Sequence, residues 1–262
     1  MKNRDLCKTP LFAQFLRQAQ ILILKILHVF LWLKFSPSLI LNKIERFSKI
    51  SKYLVYLEIV FAIIFLSGKP LFAHEWYYVK WINDGDTIVL EDGRHIRYIG
   101  INAPEIDHEN KKAEPFGYAA KKYNKTLVLS KMVRPEYDKQ THDRYGRTLA
   151  YVFLNNGVFV NKVMIEKGYA YCLFRMPNNK YDRVLLQSQR NAMSAKLGIW
   201  RNWKEKKARY WGNRRSKRFH NTTCAFGKKI DRENRIVFTR MWDAFWAGYA
   251  PCKKCMPGGG MN

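Results

Sequence analysis

Three things are scarce in this chain: long apolar runs, acidic residues and cysteine. An ordinary membrane-spanning helix needs about 20 consecutive apolar residues, and the two richest runs fall short of that. Ile21 to Trp32 is broken by Lys25 and His28, and Tyr53 to Ser67 is broken by Glu58. Acidic residues number 21 against 47 basic ones, giving a formal net charge of +26. So large an excess favours a polyanionic partner, either nucleic acid or an acidic membrane surface, and charge alone does not choose between them. Of the 5 cysteines, Cys7 lies in the N-terminal segment and Cys172 stands alone, where a buried unpaired thiol is expected. The other three cluster near the C-terminus, and three thiols cannot make two disulfides.

What is present is the composition of a folding protein, 47% hydrophobic and 15% aromatic in 262 residues, enough for one large or two modest domains. The segment 1–73 reads as a targeting region. Arg46, Lys49 and Lys52 precede the run Tyr53 to Ser67, and Lys69-Pro70-Leu71-Phe72-Ala73 follows it, the order of a secretory signal. Leu71 is not the small residue such a cleavage site prefers. An uncleaved anchor and an unusual soluble helix remain open beside export, and a cleaved product would begin near His74.

The middle of the chain gathers charged residues on turns and strands. Asp84-Gly85-Asp86-Thr87 reads as a tight turn entering the β-branched run Ile88-Val89-Leu90, and Asp92-Gly93 reverses the chain. The next strand is expected over His95 to Ile101; it carries Arg97 and ends where Pro104 biases Ala103 towards an extended conformation. Asn102 and Glu105 then sit at a strand end. Carboxylates collected there suit a hard cation with oxygen ligands, and a nearby Arg suits a phosphate. Two ordinary Asp-Gly turns are the plain alternative. A second stretch, Asp143-Arg144-Tyr145-Gly146-Arg147-Thr148-Leu149-Ala150-Tyr151, opens a further strand with another Arg.

Together the two stretches resemble the staphylococcal nuclease (thermonuclease) family, with its DGDT turn, its R-x-x-G-I-D-x-P-E strand and its D-x-Y-G-R strand. The likeness runs from about Trp76 to Trp200 and includes Pro177-Asn178-Asn179 and Leu197-Gly198-Ile199-Trp200. It implies a five-stranded OB-type barrel with flanking helices and a metal-dependent, low-specificity endonuclease acting on DNA, RNA or both. By that resemblance Asp86 is a calcium ligand, Thr87 adds a backbone oxygen and Asp84 is an outer carboxylate. Glu105 positions or deprotonates the attacking water, Arg97 and Arg147 clamp the phosphate, and Arg144 and Tyr145 hold a terminal phosphate. One position departs from the pattern: the family's second calcium-ligating Asp is here Asn102, whose amide oxygen can coordinate but brings no charge. A non-catalytic module of the same fold, binding nucleic acid or protein, is the alternative; a membrane-surface adaptor would leave the motifs unexplained.

Helices are expected from Glu114-Pro115-Phe116 onward with Ala119, Ala120, Tyr123 and Leu127 facing the barrel, over Val160 to Gly168, and over Asp182 to Leu197 with Val184, Leu185, Met193 and Leu197 inside. After Trp200 a basic linker is expected over 201–217. Its Trp203, Tyr210 and Trp211 either stack bases or dock on a neighbouring domain. His220-x3-Cys224 and Cys252-x2-Cys255 then offer two close ligand pairs for a tetrahedral zinc site; one disulfide with an orphan thiol is the alternative. With Asn234-Arg235-Ile236-Val237-Phe238 and Ala247-Gly248-Tyr249-Ala250-Pro251, this region, about 218–257, is similar to the small zinc-binding domain of the Ada DNA-repair protein, with His220 in place of a first cysteine. Residues 258–262 form a tail. The expectation is therefore a signal or anchor over 1–73, a barrel over 74–200, a linker and a small α+β zinc module, in an exported or membrane-anchored monomer.

Overall fold

The chain divides into two compact units, Met1–Ala73 and His74–Asn262. The computed structural model describes residues 56–58, 75–107, 112–205 and 208–257. The expected signal or anchor, apart from 56–58, and the tail lie outside the described residues. Among the described residues no helix is long and apolar enough to cross a membrane.

Among the described residues of the second unit there are eleven strands and five α-helices. The barrel strands are β1 (Tyr77–Asp84), β2 (Thr87–Leu90), β3 (His95–Tyr98), β5 (Met132–Glu136) and β6 (Thr148–Leu154), closed in the order β1-β2-β3-β6-β5. All pairs are antiparallel except β3 with β6, which is parallel. This is the five-stranded barrel with flanking helices that the family resemblance implies. Inward-pointing residues fill the interior: Val79, Ile88, Leu90, Ile96, Val133 and Val152 are fully buried. The helices α1 (Gly117–Val128), α2 (Val160–Glu166) and α3 (Asp182–Ser194) pack beside it.

The strand expected over His95 to Ile101 is broken. Ile99 interrupts it, and the following Gly100 adopts φ +79, a left-handed value open to glycine. The chain then leaves the barrel as β4 (Gly100–Asn102) and pairs with β7 (Tyr171–Leu173). Two helix faces also differ from expectation. In α1 the buried positions are Gly117, Ala120, Asn124 and Val128, while Ala119 is exposed. In α3 Val184 is exposed and Gln189 is fully buried, because Gln189 accepts from Cys172 N and donates to the Phe245 carbonyl. Apolar periodicity cannot anticipate a buried amide that ties two segments together.

The remaining strands, β8 (Tyr210–Asn213), β9 (Arg218–Asn221), β10 (Arg235–Phe238) and β11 (Ala250–Pro251), form a second sheet ordered β10-β8-β9-β11, with the short helices α4 (Ala225–Lys228) and α5 (Met241–Trp246). The stretch 201–217 is thus not a linker throughout, since β8 lies within it. Its aromatics are docked. Trp203 packs on Trp200 and Trp242, Tyr210 meets Phe219 edge to face, and Arg235 caps the Trp211 ring. Beneath them a second core runs continuously from Tyr171, Met193 and Trp200 into Phe219, Phe245 and Tyr249.

Candidate active site and metal centre

The barrel end near β4 concentrates the residues singled out by the sequence. The Asp84–Asp86 turn is built tightly. Asp84 Oδ1 accepts from Asp86 N at 2.9 Å, and Asn124 of α1 ties the Asp84 carbonyl to the Tyr98 hydroxyl. Gly85 sits where a Cβ would lie 2.5 Å from the Ala103 Cβ and 2.8 Å from that of Ala120; only glycine lets the turn lie against both. Asp86 is 5% exposed. Its Oδ2 accepts from Ala103 N at 2.7 Å and pairs with an Arg97 amino group at 2.8 Å, and its Oδ1 accepts from the Thr87 hydroxyl at 3.2 Å. Burial raises the Asp86 carboxyl above the ordinary carboxylate range; Arg97 pulls it back, and the neighbouring Asp84 and Glu105 add to the rise.

Arg97 stands opposite Thr87 on β2 and Leu149 on β6, so the barrel fixes its base. One amino group donates to the Tyr98 and Ile101 carbonyls at 2.8 and 3.0 Å, and the other to Asn102 Oδ1 at 3.2 Å. Asn102 in turn donates to the Ala103 carbonyl and to the Tyr171 hydroxyl, each at 3.0 Å. Asp86 and Asn102 therefore point an oxygen each at one Arg97 nitrogen, and Asp84 and Thr87 join through Asp86.

The other expected residues stand apart from this group. Arg147 is bound to Asp143 by its Nε at 2.8 Å and an amino group at 2.7 Å, across a turn held by Gly146 N on the Asp143 carbonyl. Burial favours the neutral Asp143 carboxyl, but the Arg147 contact and the Tyr145 and Arg147 amides hold it below the ordinary value. Arg144 and Arg147 both lie over the exposed Tyr145 ring. Burial, and then the like charges of Arg97 and Arg144, lower the pKa of Arg175. Sequence reasoning missed Arg175, although it stands two residues before the Pro177-Asn178-Asn179 stretch. Asn178 itself is structural: its amide exchanges two 2.7 Å bonds with the Gln140 backbone.

Glu105 is half-exposed and makes no bond to Asp86 or Arg97. Its carboxylate is held by Lys253 Nζ at 2.6 Å. Its backbone is pinned by Glu114 on both sides and by Gly117, where a Cβ would lie 2.2 Å from the Glu105 carbonyl oxygen.

In the second sheet, ligand atoms of His220, Cys224, Cys252 and Cys255 all lie within 4.8 Å of one another, and Cys224 Sγ is 3.5 Å from His220 Nδ1. His220 and Cys224 are buried, and all three thiols are free. One imidazole and three sulfurs so grouped fit a tetrahedral zinc ion. Burial, and then the adjacent Arg218, keep His220 in the neutral form that binds metal. Among the described residues this is the one group of His, Cys, Asp or Glu so arranged. The barrel-end oxygens fit a hard cation by type, with only Asp86 of the buried set charged and Arg97 sharing its charge.

Comparison with known proteins agrees with this architecture. The family described as staphylococcal nuclease homologue matches residues 95–202, ending before the second sheet. The thermonuclease of Staphylococcus intermedius is 40% identical over 129 residues, covering 48% of this chain and 76% of that protein. The thermonuclease of Staphylococcus hyicus is 41% identical over 129 residues, with the same coverage. Endonuclease YncB of Bacillus subtilis is 38% identical over 122 residues, covering 45% of this chain and 57% of that protein. With the closed barrel in place and more than two thirds of two thermonucleases covered at such identity, the chain belongs to the staphylococcal nuclease family.

Proposed function

We propose that this chain is a calcium-dependent endonuclease that hydrolyses phosphodiester bonds of DNA or RNA with little sequence preference. The observation that carries the reading is the buried Asp86–Arg97–Asn102 group beside a barrel whose family is that of nucleases. Asp86, Asn102 and Asp84 would hold the cation, with Thr87 beside them; the cation, when bound, supplies positive charge against a phosphoryl oxygen. Glu105 takes the proton of the attacking water. Arg97 and Arg147 offset the negative charge that builds on the phosphorane, a task that suits a guanidinium fork better than an ammonium. Arg147 must exchange its bonds to Asp143 for the phosphate, while Arg144 and Tyr145 take a terminal phosphate. The second sheet binds zinc through His220, Cys224, Cys252 and Cys255 as an Ada-like structural module. Residues 1–73 export the chain or anchor it to a membrane, and it works as a monomer.

A second reading has its own support. Arg97 spends both amino groups on protein acceptors, and Asn102 supplies no charge, as in a binding module that no longer cuts. A plasmid-nicking assay with and without calcium separates the two. Calcium-dependent nicking that Glu105→Gln lowers by about 10²–10⁴ supports the enzyme; DNA retention without nicking supports the binder.

A further inference from the structure

The ammonium that holds Glu105 does not come from the barrel. Lys253 lies between Cys252 and Cys255, in the turn that brings two of the four sulfur and nitrogen ligands together, and its Nζ is 2.6 Å from Glu105 Oε1. Both side chains remain well exposed, at 58% and 38%, so a substrate can reach the pair. The Lys253 backbone is placed by the module around it: Cys252 N donates to the Phe219 carbonyl, Met256 N donates to the Cys252 carbonyl, and Asn221 Nδ2 donates to the Cys255 carbonyl.

We propose that the metal module completes the nuclease site: Lys253 is a positioning residue that holds the Glu105 carboxylate and, at the same time, meets a phosphate of the incoming strand. This rests on the reading of Glu105 as the base. A carboxylate beside a phosphodiester is repelled by it, and an ammonium bridging the two offsets that repulsion at the place where the water must be held. Metal at His220, Cys224, Cys252 and Cys255 fixes the turn that carries Lys253, so loading of the module governs how well the nuclease site is formed.

The test uses the full-length, zinc-loaded chain and the variants Lys253→Ala and Lys253→Arg; the exposed position leaves the fold of each unchanged. Lys253→Ala should lower kcat about fivefold and raise KM about threefold, and Lys253→Arg should restore most of both. Anisotropy with a labelled single-stranded oligonucleotide in calcium-free buffer should show a weaker complex, with the salt slope of binding smaller by about 0.7, one phosphate contact on a single strand. After zinc depletion, reloading should restore oligonucleotide affinity in the parent chain but give no matching gain in Lys253→Ala. Unchanged kcat and KM in a parent chain that cleaves would overturn the proposal and leave the nuclease reading standing, as would a rise in kcat, which would make the contact inhibitory. If the parent chain does not cleave, the nuclease reading fails, and an oligonucleotide affinity and salt slope equal in parent and Lys253→Ala would dispose of the Lys253 phosphate contact as well.

Discussion

At the scale of single residues, Asn102 has two demands on it. Its oxygen faces Arg97, and its amide nitrogen satisfies the Ala103 carbonyl and the Tyr171 hydroxyl. Asn102→Asp would add a charge to the cation site proposed above and lose both donated bonds. Calcium should then be half-maximally effective at a lower concentration, while the cation-free protein loses about 1–3 kcal/mol of stability; calcium titration of nicking and denaturant unfolding measure the two effects. Asp182 gives a pH-dependent case. Its Oδ1 is buried with no partner, and burial, followed by the charge of Asp138, raises its carboxyl to about 6. A pKa raised in the folded state means the stabilising contribution is complete below about 4, the unfolded value, and is lost as pH rises through 6. Asp182→Asn should therefore be more stable than the parent at pH 8 and no more stable at pH 4. The gain is about 1 kcal/mol once solvent screening at this half-open position and the preference of a helix start for an anion are allowed for.

Among the elements, the Asp84–Asp86 turn and the segment after β4 depend on close approach. Gly85→Ala should cost about 1–3 kcal/mol, because Ala103 and Ala120 block the new methyl with side-chain atoms on rigid backbone. Gly117→Ala meets the Glu105 carbonyl itself, so it should also lower turnover by shifting Glu105. Thermal unfolding and kcat on both variants check this. At this scale much was legible in the sequence. Asp86, Arg97 and Asn102 are near neighbours along the chain, on strands whose alternation and Asp-Gly turns mark them, and the two ligand pairs of the module are local as well. The pieces that escaped depend on distant partners. Glu105 and Lys253 are 148 positions apart, Gln189 is buried because of a carbonyl 56 positions away, and the break at Ile99 follows from a pairing with β7 that no local pattern announces.

For the whole molecule, the second core decides how it unfolds. Trp200 and Phe245 meet edge to face, as do Tyr171 and Phe245, and Arg190 reaches the Trp246 carbonyl at 3.0 Å. The module is small, and its fold would be coupled to its metal; through this seam that coupling extends to the barrel. Replacing Cys252 and Cys255 together by Ser should remove about one zinc per chain and lower the melting temperature of a single shared transition. A calorimetric trace with an unaltered barrel transition would contradict it.

The seam also limits what inheritance can do with this chain. A barrel cut after Trp200 would show water an apolar face of Tyr171, Met193, Ile199 and Trp200, and exposed patches of that kind drive self-association. The second sheet is therefore not a cassette to be gained or shed in one step. A lineage that loses it must first repaint that face with polar residues, and a lineage that keeps it is free to leave the face greasy.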